Sequence, residues 1–134
     1  MKPRVWVNGR PSDTGHVTLD ASDPGLNLGL GVFETLRTYN GELFALDAHL
    51  DRLGASLMGM GFDAVDLGSI ADELKAACTG LTNEVMARVT ITGGGARIVV
   101  VGPIPDVPKP FRCATREFVP PPWLDGSIKH ISRA

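Results

Sequence analysis

From Arg4 to Asn8 (Arg-Val-Trp-Val-Asn) apolar and polar residues alternate with period two, which predicts a strand. Asn8-Gly9 then signals a two-residue turn. A second, longer alternation runs from Gly31 to Asn40 (Gly-Val-Phe-Glu-Thr-Leu-Arg-Thr-Tyr-Asn). It places Val32, Glu34, Leu36 and Thr38 on one face of a strand and Phe33, Thr35, Arg37 and Tyr39 on the other. Asn40-Gly41 turns that strand into Glu42 to Ala45. The period then changes. Leu46, Leu50, Leu53 and Leu57 recur at helical spacing, with Asp47 as the expected cap and Gly59 or Gly61 as the stop. His49, Arg52 and Ser56 share a different face of that helix. A second helix is expected from Ser69, as its cap, through Cys78, with Ile70, Leu74 and Ala77 inward and Gly80 ending it.

Strand character returns over Glu84 to Thr92 and Arg97 to Val101. Gly93, Gly94 and Gly95 lie between two strands, so they read as a hairpin loop rather than a phosphate cradle. The stretch from Ser22 to Gly31 holds three glycines and a proline and reads as a loop that turns sharply or approaches something closely. Seven of the ten prolines lie between Pro103 and Pro122, around one expected strand, Phe111 to Val119. The order of strands, two helices and strands predicts an α+β fold: a small antiparallel-sheet domain with two helices on one side. We place that domain at 1–119 and a linker, with the start of a further domain, at 120–134. A GxGxxG turn opening a helix is missing, as is the alternating βα order of a dinucleotide-binding fold.

Composition narrows the function. Of the 134 residues, 43% are hydrophobic and 21% charged, with a net charge of -2 and a pI of about 5.9. Such a chain offers no basic footprint for nucleic acid or an anionic membrane surface. No apolar run approaches the ~18 residues that span a bilayer. The first ten residues lack the apolar core of a signal peptide, so a cytoplasmic location is expected. Cys78 and Cys113 form no metal or disulfide pattern and read as small, mostly buried side chains. His16, His49 and His130 are too scattered for a metal site.

The segment Gly29-Leu30-Gly31-Val32-Phe33-Glu34-Thr35-Leu36-Arg37 resembles the "GDGVFETLR" strand of class IV enzymes that use pyridoxal phosphate (PLP). Tyr39 to Phe44 and the helix segment His49-Leu50-Asp51-Arg52-Leu53-Gly54-Ala55-Ser56 continue the resemblance in the family's order and spacing. Ser22-Asp23, Glu84 to Gly93 and Ile128-Lys129-His130-Ile131-Ser132-Arg133 extend it to nearly the whole chain. The resemblance implies a two-domain enzyme with PLP between the domains and a homodimer whose subunits complete each other's sites. Lys129 is then the residue whose amine condenses with the PLP aldehyde and moves protons at the substrate α-carbon, while the ring absorbs electrons. Taken alone, it would read as a solvated surface lysine.

Arg52 matches the arginine that contacts the PLP phosphate, a suitable task for a guanidinium fork. The alternative is an exposed helix arginine paired with an acid such as Glu42. His49 would support that site. Phe33 is either a pocket residue or core, and Thr92 is a second pocket candidate.

Two departures bear on activity. Leu30 stands where the family usually has aspartate, which alters the loop and not the chemistry. Thr92 stands where D-amino-acid aminotransferases carry an arginine for the substrate carboxylate. Lys129-His130 with Arg133 is most similar to the "KHLNR" segment of aminodeoxychorismate lyase, whereas branched-chain aminotransferases carry a "KxGGNY"-type segment. The resemblance therefore implies a lyase that eliminates pyruvate from 4-amino-4-deoxychorismate to leave 4-aminobenzoate. The alternatives are an aminotransferase of branched-chain or D-amino-acid type and a non-catalytic isolated domain. The acid that pairs with the pyridine nitrogen belongs to the family's second domain. With that domain not in view, nothing is expected to bury Ile128 and Ile131. Lys129 is accordingly expected to be exposed and loosely held, and the 134-residue chain alone to be inactive.

Overall fold

The structure, a computed structural model, describes residues 1–106, 110, 112–117, 119 and 125–132. Six strands form one antiparallel sheet: β1 Arg4–Val7, β2 Arg10–Pro11, β3 Gly31–Tyr39, β4 Glu42–Leu43, β5 Val85–Thr92 and β6 Arg97–Pro103. Their order across the sheet is β2-β1-β6-β5-β3-β4. Three helices complete the fold: α1 Pro24–Asn27, α2 Leu46–Gly59 and α3 Leu67–Cys78. The expected α+β class and the main elements are therefore present. Among the described residues of the proline-rich stretch, 112–117 and 119, no strand forms; Phe111 and Phe118 lie outside the described residues.

Both Asn-Gly pairs make the turns that their chemistry favours. Asn8 (φ 50°) and Gly9 (φ 82°) join β1 to β2, and Asn40 (φ 51°) and Gly41 (φ 83°) join β3 to β4. Positive φ at both central positions gives the hairpin turn whose twist matches that of the strands. The three glycines after β5 close the β5–β6 hairpin.

The period-two alternation of β3 sorts as expected. Val32, Glu34, Leu36 and Thr38 are buried and Phe33, Thr35 and Arg37 only half-buried. Val85, Ala87, Val89 and Ile91 of β5 and Val99 and Val101 of β6 are buried beside them. Helix α2 lies over β3, and α3 lies over β1, β5 and β6. Leu53, Leu57, Ile70, Leu74 and Ala77 carry the helices into this shared core. Each fully buried leucine, isoleucine or valine there contributes about 1.5–3 kcal/mol. Leu50 is only half-buried, because it sits at the margin of the stripe that Leu53 and Leu57 fill.

The helix caps differ from expectation. Ala45, in a left-handed conformation (φ 51°), precedes α2, and Asp47 lies inside its first turn without capping it. There its charge favours the positive end of the helix dipole. At α3 the cap is Asp66, whose carboxylate accepts from the Gly68 amide (2.9 Å) and from Ser69 Oγ (2.6 Å). Ser69 therefore braces the cap rather than forming it. Cys78 is buried as expected, but Cys113 is exposed, since it lies in the proline-rich stretch away from the core.

Candidate active site

Strand β4 pairs with β3 only at Thr38 and Tyr39, which leaves the Gly31–Phe33 end of that edge open. Residues 129–131 fill it. The Phe33 amide donates to the Lys129 carbonyl (3.0 Å), the Ile131 amide donates to the Gly31 carbonyl (2.9 Å), and Val32 and His130 form an antiparallel bridge. The Lys129 amide donates to the hydroxyl of buried Ser56 on α2 (3.1 Å). Ser132 Oγ donates to the Gly29 carbonyl (2.6 Å).

Three glycines make this approach feasible. A Cβ at Gly29 (φ 65°) would overlap Ser132 Oγ. One at Gly31 would stand 3.0 Å from Ile131 Cδ1, and one at Gly59 would stand 2.9 Å from Ile128 Cδ1. The expectation of a loosely held, exposed Lys129 is thereby corrected. Ile128 packs against the core of this domain, Ile131 is half-buried, and the lysine side chain is only 20% exposed. The physical reason is the shortness of β4, which leaves unpaired backbone groups that the lysine segment satisfies.

Lys129 Nζ lies 3.4 Å from Glu34 Oε2. The same carboxylate accepts a fork from Arg52, with Nε to Oε1 at 2.6 Å and one terminal nitrogen to Oε2 at 2.7 Å. His49 Nδ1 is 2.7 Å from Oε2. A carboxylate can only accept, so Nδ1 carries the proton. Burial pushes the Glu34 carboxyl toward the neutral form. The hydrogen bonds from Arg52 and His49 and the charges of Lys129 and Arg52 outweigh it and bring the group down to about 2. Arg52 in turn is held more firmly protonated by its bonds to Glu34.

The acid that Arg52 meets is thus Glu34 and not Glu42. Sequence reasoning missed Glu34, although a signal was present: it is the one acid on the buried face of the β3 alternation, where a charge needs partners. The face shared by His49, Arg52 and Ser56 turns out to be the one that meets both Glu34 and the lysine segment.

Phe33 is also brought to Lys129. Its ring centroid lies 5.1 Å from Lys129 Nζ and 3.8 Å from the guanidinium carbon of Arg88, within the range of cation–π attraction. Thr92 is placed differently. It is buried, and its hydroxyl donates to Asp23 Oδ2 (2.7 Å) and accepts from the Ala96 amide (3.0 Å). With Asp23 also accepting from the Gly25 and Gly94 amides, Thr92 ties the loop before β3 to the β5–β6 hairpin. Arg133 lies outside the described residues.

The donor set suits PLP. A lysine amine meets the requirement of its aldehyde, and an arginine with an outward edge meets that of its phosphate, since the Arg52 side chain is 50% exposed beyond its Glu34-facing side.

The six-stranded antiparallel sheet with its two main helices matches the N-terminal domain of fold-type IV aminotransferases. The chain belongs to the amino-transferase class IV family, whose model matches residues 31–134. It is 40% identical over 73 residues to a D-alanine aminotransferase of Bacillus licheniformis, a match covering 54% of this chain and 25% of that protein. It is 43% identical over 53 residues to the aminodeoxychorismate lyase of Bacillus subtilis, covering 40% of this chain and 18% of the other. Among solved structures, the PLP-bound form of a hypothetical aminotransferase from Mycobacterium tuberculosis superposes with a TM-score of 0.71 at 27% identity, over 78% of this chain and 41% of that one. The matches thus span less than half the length of each of these relatives.

Proposed function

We propose that this chain supplies the lysine-bearing portion of a PLP-dependent class IV enzyme, with residues 1–119 as its N-terminal domain and 120–134 leading into a second. The observation that carries this reading is the meeting of the Lys129 amine and the Arg52 guanidinium on one buried carboxylate, Glu34. Lys129 and Arg52 would hold PLP by its aldehyde and its phosphate. When bound, PLP supplies an electrophilic carbonyl and a ring that draws electrons from the substrate α-carbon. Lys129 then takes the proton from that carbon, and the long 3.4 Å contact with Glu34 leaves its amine free to move to it. Phe33 would form a wall beside the amine. Thr92 would act indirectly, by tying the loop before β3 to the β5–β6 hairpin through Asp23.

At the finer level, we propose an aminodeoxychorismate-lyase type of reaction, in which pyruvate is eliminated and 4-aminobenzoate remains. The Lys129-His130 pair and the likeness to the Bacillus subtilis lyase support it. A D-alanine aminotransferase reading is favoured by the longer match to the Bacillus licheniformis relative. The substrate is in either case a small amino-acid-like molecule, and the full-length protein is proposed to be a cytoplasmic homodimer.

The test is a visible spectrum of the full-length protein with PLP, followed by borohydride trapping and peptide mapping. The expected result is a trapped adduct on Lys129. Pyruvate released from 4-amino-4-deoxychorismate without a keto-acid acceptor marks the lyase. Turnover of D-alanine that requires an acceptor marks the aminotransferase. An adduct on another lysine would sink the assignment of Lys129.

A further inference from the structure

Glu34 has a task that neither the motif nor the family likeness assigns. Its carboxylate is 1% exposed and receives four donors from three side chains. These contacts are unequal. Arg52 is gripped through two nitrogens at 2.6 and 2.7 Å, a bidentate fork that fixes both the position and the plane of the guanidinium. Lys129 stands at 3.4 Å, the longest of the contacts, on an oxygen that Arg52 and His49 already satisfy. The lysine can therefore leave without stranding a buried charge, and the arginine cannot.

The fork also decides which edge of Arg52 is offered outward. Glu34 takes Nε and one terminal nitrogen, so the guanidinium turns its remaining terminal nitrogen away from the carboxylate. A free arginine would lose the entropy of its long side chain on binding an anion; a clamped one has already lost it. His49, on the same helix, donates to Oε2, the oxygen nearest Lys129, and steadies the carboxylate there.

We infer that Glu34 is a positioning residue for cofactor recognition: it aims Arg52 at a phosphate and holds the Lys129 amine only loosely beside it. This rests on the reading of Lys129 and Arg52 given above. A consequence follows that a merely structural role would not produce. Loss of Glu34 should weaken binding of a phosphorylated aldehyde and largely spare binding of the same aldehyde without its phosphate.

The experiment compares PLP with pyridoxal, which lacks the phosphate, as ligands of the full-length protein, read by absorbance and by borohydride-trapped mass on Lys129. The wild type is expected to prefer PLP, and Arg52→Ala to abolish most of that preference. Glu34→Gln should lower the ratio of PLP to pyridoxal affinity by roughly tenfold or more, the worth of one well-aimed charge-assisted bond, while pyridoxal binding changes by no more than about threefold. Glu34→Asp keeps the negative charge, and so the fold, but is too short to reach both nitrogens of the fork. It should lower the ratio in the same direction. If both Glu34 variants retain the wild-type ratio while Arg52→Ala loses it, Glu34 does not aim the arginine and the inference fails alone. If PLP and pyridoxal binding fall together, its role is structural and the inference again fails. If the wild type shows no preference for PLP, the phosphate role of Arg52 falls and this inference falls with it.

Discussion

Two glutamates are buried among the described residues of this domain, and they are buried differently. Glu34 on β3 is surrounded by donors from α2 and from the lysine segment, and both of its oxygens are engaged. Glu73 on α3 is 7% exposed and meets one partner, Arg97 on β6. Its Oε2 and the Arg97 Nε are buried without a hydrogen-bond partner among the described residues. A buried ion pair is weak evidence of purpose, because desolvation consumes most of its Coulomb energy. The two clusters are distinguished by completeness and by membership. The Glu34 cluster joins segments distant in sequence and contains an amine with nucleophilic chemistry. The Glu73 pair contains no amine, so it reads as a strut between helix and sheet.

The largest effect that tests this contrast belongs to Lys129. Lys129→Ala in the full-length protein should lower turnover by about 10³-fold or more, because the amine is both the attachment point and the proton carrier. The fold should survive: the unfolding midpoint should move by no more than about 4 °C, the shift that ~1 kcal/mol brings to a domain of this size. Assaying activity and melting on one preparation checks both. A variant that melts far below wild type would make Lys129 a structural residue and erase the contrast with the Glu73 pair.

Acid should act next in size. The ordinary carboxyl value of glutamate is 4.5, and Glu34 stands at about 2 in the fold. A depressed value means that the contribution is fully present above about pH 4.5 and is lost as pH falls through about 2. At about 1.4 kcal/mol per unit, Glu34 contributes about 3 kcal/mol at neutral pH. Urea unfolding of wild type and Glu34→Gln should therefore show a stability gap that narrows from pH 5 to pH 2. A gap that stays constant over that range would break the account of its electrostatics.

Much of this cluster was readable before the fold was known, but in pieces. Period two put Glu34 on the face of Val32, Leu36 and Thr38, and helical spacing put His49, Arg52 and Ser56 on one face of α2. What local patterns cannot supply is the rotation of that helix over that strand, so the acid they suggest as an alternative partner for Arg52 is Glu42 and not Glu34. The docking of the lysine segment was hidden for a similar reason. It depends on β4 stopping after Leu43, a matter of how far one hairpin stays paired, and on small residues at Gly29, Gly31 and Gly59 lying under Ser132, Ile131 and Ile128. Gly29 and Gly31 announced a close approach and Gly59 only a helix end, and the partner of Gly29, Ser132, lies 103 positions along the chain. The cap at Ala45 carried no signal, because its backbone conformation alone starts the helix.

Gly29→Ala tests that docking with a smaller effect. A side chain at φ 65° is strained by about 1–2 kcal/mol, and its Cβ must displace Ser132 Oγ. The domain should lose about that much stability. The local consequence should be sharper than the global one. Amide exchange at Phe33 and Ile131, whose bonds hold the lysine segment to β3, should accelerate more than exchange at Val89 in the middle of the sheet. Equal acceleration everywhere would mean that the segment is not a separately docked element.

The smallest net effect is expected when both members of the Glu73–Arg97 pair are replaced together, and it completes the contrast. Arg97→Met alone leaves a buried carboxylate without its partner and should destabilise by roughly 3 kcal/mol. Adding Glu73→Leu removes that uncompensated charge and the orphaned Oε2, as Arg97→Met has already removed the orphaned Nε. The double variant should return to within about 1 kcal/mol of wild type, or exceed it, since apolar groups of similar volume often replace a buried pair without loss. The ratio of PLP to pyridoxal affinity should not change, because neither residue touches Lys129 or Arg52 among the described contacts. Denaturant melts and the two-ligand titration on the same variants decide the matter. A double variant as unstable as the single one, or one with an altered affinity ratio, would show that the pair does more than brace α3 against β6.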